Sequence, residues 1–143
     1  MRPLKINLLF LFLATTLCFN CSDDDDDMGL GNSSDFPQLI VGSWRFASGT
    51  TDGNPTMVQD QCELQFTFSF AADGNFTTTS FSGPNCATST QGSGTYSISG
   101  NVLTLNTTQG SGQAEITGLN SSTLSVRYED DNGSTIVENY NKI

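Results

Sequence analysis

No histidine occurs anywhere among the 143 residues. That absence removes a Cys-His dyad, a Ser-His-Asp triad and a histidine zinc site, each of which needs an imidazole as base or ligand. Basic side chains are nearly as scarce, with five Lys and Arg against fifteen Asp and Glu. Nucleic acid is therefore an unpromising partner, since binding it requires a basic patch that displaces phosphate counterions. The apolar stretch from Leu8 to Ala14 falls well short of the ~20 residues a membrane-spanning helix needs. Nowhere do apolar residues recur with helical spacing.

The N-terminus carries an address instead. Arg2 and Lys5 precede the Leu8 to Ala14 run, the order of charge and apolarity of a signal peptide, so residues 1–20 read as a leader that is removed. Two cysteines follow, Cys18 and Cys21. A lipoprotein signal peptidase leaves a cysteine at the new N-terminus with diacylglycerol on its sulfur; Cys21 is the candidate, and Cys18 the alternative. The run Ser22-Asp23-Asp24-Asp25-Asp26-Asp27 resembles the acidic export tether of surface lipoproteins in one group of Gram-negative bacteria. That resemblance implies a lipid-anchored protein of the outer membrane, exposed at the cell surface. Each buried methylene contributes ~0.8 kcal/mol, so several acyl chains hold a protein essentially for good. Residues 21–35, rich in Asp, Gly, Ser and Asn, are expected to form a flexible tether, because they bury too little to offset the entropy of ordering. Loss of Arg2 and Lys5 with the leader leaves three basic residues (Arg45, Arg127, Lys142) against fifteen acidic ones, a net charge near −12.

Residues 36–143 then make one domain of ordinary size. Short runs of Thr, Val, Ile, Phe and Tyr alternate with polar residues and are separated by Gly, Asn, Asp and Ser clusters, the pattern of half-buried antiparallel strands. Eight strands are expected: Gly42 to Ser48, Cys62 to Ala71, Asn75 to Ser82, Gly94 to Ser99, Val102 to Thr107, Gln113 to Leu119, Thr123 to Glu129 and Thr135 to Asn141. In the second, Leu64, Phe66, Phe68 and Phe70 share one face. Asp73-Gly74, Gly100-Asn101 and Asp130-Asp131-Asn132-Gly133 supply residues that tolerate the positive φ of tight hairpins. Sequential hairpins make an all-β, eight-stranded up-and-down arrangement, which closes into a barrel or splits into a two-sheet sandwich. The longest connection, Ser48 to Gln61, is expected at a barrel mouth as a lid or rim.

Several motifs favour the barrel. Gly42-Ser43-Trp44, the Phe68 to Phe76 segment with its Asp73-Gly74, Gly94-Thr95-Tyr96-Ser97-Ile98 and Asn101-Val102-Leu103-Thr104-Leu105 together resemble the lipocalin-like domain of bacterial secreted lipoproteins. The resemblance covers nearly all of Leu39 to Tyr140. It implies a lipocalin-like barrel with Trp44 packed at its closed end, where an arginine from a late strand crosses the indole. Arg127 is positioned for that, although Val126 and Tyr128 are the inward candidates beside it, and alternation then turns Arg127 outward.

Cys62 and Cys86 are an even pair in an exported chain and are assigned to a disulfide, two cysteines without further soft ligands being a poor zinc site. The carboxylates Asp52, Asp60, Glu63, Asp73, Glu115 and Glu138 read as solvated surface, and Glu129 to Gly133 as a charged hairpin tip rather than a calcium loop. No catalytic residue, metal or cofactor is indicated, and the protein reads as non-catalytic. Two roles stand. In one, the barrel takes a small hydrophobic molecule among Trp44, Phe66, Phe68, Phe70, Tyr96, Ile98, Leu103, Leu105, Ile116, Val126 and Tyr128, an aromatic lining of the kind such pockets use. In the other, these side chains fill the interior and the outer surface or rim loops bind a protein partner, as an inhibitor or complex subunit.

Overall fold

A computed structural model describes residues 32–56 and 61–143. The leader, Cys18, Cys21 and the five aspartates lie outside the described residues. Chain order is α1 (Phe36–Leu39), β1 (Gly42–Thr51), β2 (Asn54–Pro55), β3 (Thr67–Phe70), β4 (Asn75–Ser82), β5 (Thr88–Ser99), β6 (Val102–Thr107), β7 (Gly110–Leu119), β8 (Thr123–Glu129) and β9 (Thr135–Lys142). Every neighbouring pair is antiparallel, and β9 returns to β1, with Trp44 opposite Lys142 and Thr51 opposite Ile136. Eight strands therefore close into one barrel, with the two-residue β2 as an added flap on β1. Closure excludes the sandwich and leaves no long free edge.

The two ends of the barrel differ. At one, Phe36 and Ile40 from the α1 segment cover Trp44, Leu119 and Leu124, all nearly or fully buried. Trp44 is 0% exposed, and its indole Nε1 donates to the Ile40 carbonyl at 2.7 Å, so the ring loses no hydrogen bond on burial. The cation over the indole is Lys142, whose Nζ lies 4.9 Å from the ring centroid and donates to the Leu39 carbonyl at 3.1 Å. Arg127 is not there. It faces outward, as alternation requires, and pairs with Glu115 of β7, its Nε donating at 3.0 Å.

Two expectations for irregular segments are corrected. The strand beginning at Cys62 starts only at Thr67, because Glu63–Gln65 forms a 3-10 turn held by Gln65 N donating to Cys62 O and Phe66 N to Glu63 O. Leu64 consequently leaves the phenylalanine face and is 40% exposed. The tether, expected to be flexible through Asp35, ends in a 3-10 turn at Ser33–Asp35, whose cap is Asn32, and runs directly into α1. Phe36 anchors that junction by burial.

The first part of the Ser48 to Gln61 connection continues β1 to Thr51 and turns back into β2, and residues 57–60 lie outside the described residues. Asp52 (φ 50°) and Gly53 (φ 78°) both occupy the left-handed region, which a two-residue hairpin turn requires and which Asp-Gly adopts at low cost. Asp52 then takes Thr135 N on Oδ1 at 2.9 Å and donates its own N–H to Thr135 O at 2.8 Å, tying the flap to the start of β9.

Candidate functional site

The wall of the barrel is incomplete at the end opposite Trp44. β5 pairs with β4 along its whole length, from Asn75 opposite Thr95 to Ser82 opposite Thr88, but with β6 only from Thr95 to Ser99. Beyond Thr95 and Asn106 the two strands part. Gly94 stands at the parting point, where a Cβ would lie 2.1 Å from the Asn106 carbonyl oxygen and 2.7 Å from the Phe76 ring; only glycine fits that approach. A polar recess of about 770 Å³ occupies the gap, between Gln91 and Gly92 of β5 and the Thr107 to Gly110 turn, and reaches down to Phe68 and Leu105.

Beneath this end the interior is hollow. One cavity of about 420 Å³ is walled by Phe46, Phe66, Phe68, Ser80, Phe81 and Tyr140. A second, of about 240 Å³, lies among Phe70, Leu103, Leu105, Val126 and Tyr128. Phe68, Glu138 and Tyr140 line both, so the two are compartments of one interior divided by these side chains. The larger volume falls within the ~300–1,000 Å³ of small-molecule sites. Aromatic edges meet faces around it: Phe66 and Phe68 centroids are 5.0 Å apart, Phe46 and Tyr140 5.8 Å, and Phe68 and Tyr140 5.7 Å.

The disulfide Cys62–Cys86 lies on the mouth of the larger cavity, linking the 3-10 turn before β3 to the turn between β4 and β5. Cys62 itself is part of the lining, beside Glu63 and Thr56.

One polar group sits at the centre. Glu138, read from the sequence as solvated surface, points into the barrel: its Oε1 accepts from Tyr128 Oη at 3.2 Å and its Oε2 from Tyr140 Oη at 2.6 Å. Alternation carried the signal, since Tyr140 faces inward and a residue two positions earlier in the same strand shares its face. Burial first, and the Glu138 charge and hydrogen bond next, push the Tyr128 hydroxyl up to about 12 and raise Tyr140 further still. A phenol held against a carboxylate resists becoming a second anion. Both tyrosines thus remain donors to Glu138.

The expected interior residues divide between this hollow and the solid core. Phe66 and Phe68 line the larger cavity, and Phe68, Phe70, Leu103, Leu105, Val126 and Tyr128 the smaller. Trp44 and Ile116 lie in the packed core, and Tyr96 and Ile98 pack against it; none of the four lines either cavity. Tyr96 instead donates to the Ala71 carbonyl at 2.8 Å, closing the β3–β4 hairpin. Among the described residues no three His, Cys, Asp or Glu side chains converge on a point where a metal ion would sit. At the β8–β9 tip, Asp130 turns its carboxylate back to the Asn132 and Ser134 backbone N–H groups, at 2.9 and 2.8 Å.

An up-and-down barrel closed at one end by an N-terminal turn and buried tryptophan, and hollow at the other, defines a lipocalin-type calyx. The chain belongs to the lipocalin-like domain family, whose model matches residues 40–126. Among solved structures it is similar to a lipocalin-like protein from Bacteroides uniformis, at 16% identity and a TM-score of 0.56, over 73% of this chain and 98% of that one. An uncharacterized protein from Bacteroides eggerthii is similar at 14% identity and a TM-score of 0.54, over 73% and 99%. At such identities the likeness is one of fold. No curated protein matches the chain in sequence.

Proposed function

We propose that this is a non-catalytic, lipid-anchored cell-surface protein whose barrel takes a small, largely apolar molecule. The observation that carries the reading is the hollow interior: the large apolar side chains stop short of filling the barrel and leave cavities of about 420 and 240 Å³ beside an open rim. A barrel serving only as a scaffold for surface contacts gains stability from filling such space, because voids forfeit dispersion contacts. The anchor rests on the leader and the acidic run behind Cys21, and the absence of catalysis on the lack of histidine and the apolar character of the walls.

Native mass spectrometry of the protein purified from its own membranes tests both halves. A diacyl or triacyl mass on the N-terminal peptide, together with a retained small molecule released on unfolding, is the expected result. An unacylated mature chain overturns the anchor, and an empty barrel with a bound polypeptide overturns the carrier.

A further inference from the structure

The charge inside the calyx is of one sign. Glu138 stands between the two compartments, and Glu63 lies on the mouth of the larger one. All three cations among the described residues are committed elsewhere: Arg45 is exposed on the barrel exterior, Arg127 pairs outside with Glu115, and Lys142 covers Trp44 at the opposite end. A carboxylate ligand such as a fatty acid would meet a fixed negative charge in a half-dry interior with no counter-charge, which is unfavourable.

Glu138 is also incompletely used. Each of its oxygens accepts one tyrosine hydroxyl, whereas a carboxylate oxygen has two acceptor sites. Phe46, Phe68 and Tyr140, which line the larger cavity together with it, meet edge to face there. A carboxylate ringed by aromatic groups offers a cation both a charge-assisted hydrogen bond and ring quadrupoles.

We infer that the calyx selects small organic cations: an ammonium group bonded to Glu138, with an apolar or aromatic body lodged among Phe46, Phe66 and Phe68. This assignment rests on the carrier reading above and adds the sign of the ligand's charge to it.

Three isosteric probes separate the two claims: phenylbutylamine, phenylbutanol and phenylbutyrate, titrated calorimetrically into the full folded chain at neutral pH. The amine is expected to bind at least about tenfold more tightly than the alcohol, a factor worth about 1.4 kcal/mol, and the butyrate more weakly than either. Glu138→Gln is expected to abolish the preference for the amine, since the amide loses the charge and accepts from one tyrosine hydroxyl while donating to the other. Equal binding of amine and alcohol, or tighter binding of the butyrate, overturns the cation assignment and leaves the calyx standing. Binding of none of the three overturns the carrier reading and this one with it. The comparison among the three probes in the unmodified protein needs no variant, so a Glu138→Gln chain that fails to fold does not remove the test.

Discussion

The two ends of this barrel are built from the same strands and are packed to opposite degrees. At the closed end every large side chain has found a neighbour: Ile40, Trp44, Leu119 and Leu124 are essentially inaccessible, and the indole N–H and the Lys142 ammonium both end on α1-segment carbonyls. At the open end Phe46, Phe66 and Phe68 are only half-buried, the wall splits between β5 and β6, and a disulfide does the work that packing does elsewhere. Close packing is concentrated at one end and open space at the other. Binding regions are drawn from the less stable parts of a fold.

Truncation on each side gives the sharpest test of that division. Trp44→Ala is expected to cost about 3–5 kcal/mol, a large part of the ~5–15 kcal/mol a domain possesses. Phe66→Ala is expected to cost less, below about 3 kcal/mol, because the ring is only partly buried and gives up less area. Urea denaturation followed by circular dichroism measures both; equal losses would mean that the open end is as tightly packed as the closed one.

Removing the disulfide is the next largest effect. The Cys62→Ser, Cys86→Ser double variant releases a crosslink spanning 24 positions, with an expected loss of about 3 kcal/mol by loop-closure entropy. Faster proteolysis or hydrogen exchange should appear first around residues 61–67 and 82–88, and leave the Trp44 region protected. Uniform loosening would contradict the separation of the two ends.

Alkaline pH probes the interior more gently. All three tyrosines are held above the ordinary phenol value of 10.0, by burial first, then by Asp73 at Tyr96 and Glu138 at Tyr128 and Tyr140. A raised folded-state value favours the protonated form, so the stability it contributes is complete below pH 10 and is lost as pH climbs through about 12 for Tyr128. Phenolate absorbance of the folded protein should lag behind that of the unfolded chain near pH 10 and rise as pH approaches about 12. Titration of Tyr128 or Tyr140 near the ordinary value in the folded state would place that ring in water rather than in the calyx.

Much of the barrel was legible in its residues. Asn75–Ser82, Val102–Thr107 and Thr123–Glu129 run as the alternation and flanking turn signals demand. The failures lie where local pattern and long-range partner disagree. Cys62 to Gln65 alternate like a strand, yet β1 pairs with β3 only as far as Arg45 opposite Thr67, and a 3-10 turn takes the backbone groups of the residues before it. As a carboxylate, Glu138 reads as surface, where such groups usually lie. The stronger local evidence, its two-residue spacing from Tyr140, pointed inward.

Alternation, hairpin residues and an even pair of domain cysteines determined by themselves an antiparallel all-β chain with a crosslink, because strand period and turn conformation are properties of consecutive residues. Which strand closes on which, how far β5 and β6 stay together, and which residues meet at the centre depend on how twisted strands stagger around a barrel. Only the tertiary structure decided these: it moved Lys142 rather than Arg127 over the indole, left the upper half hollow, and turned one carboxylate and two tyrosines into its polar centre.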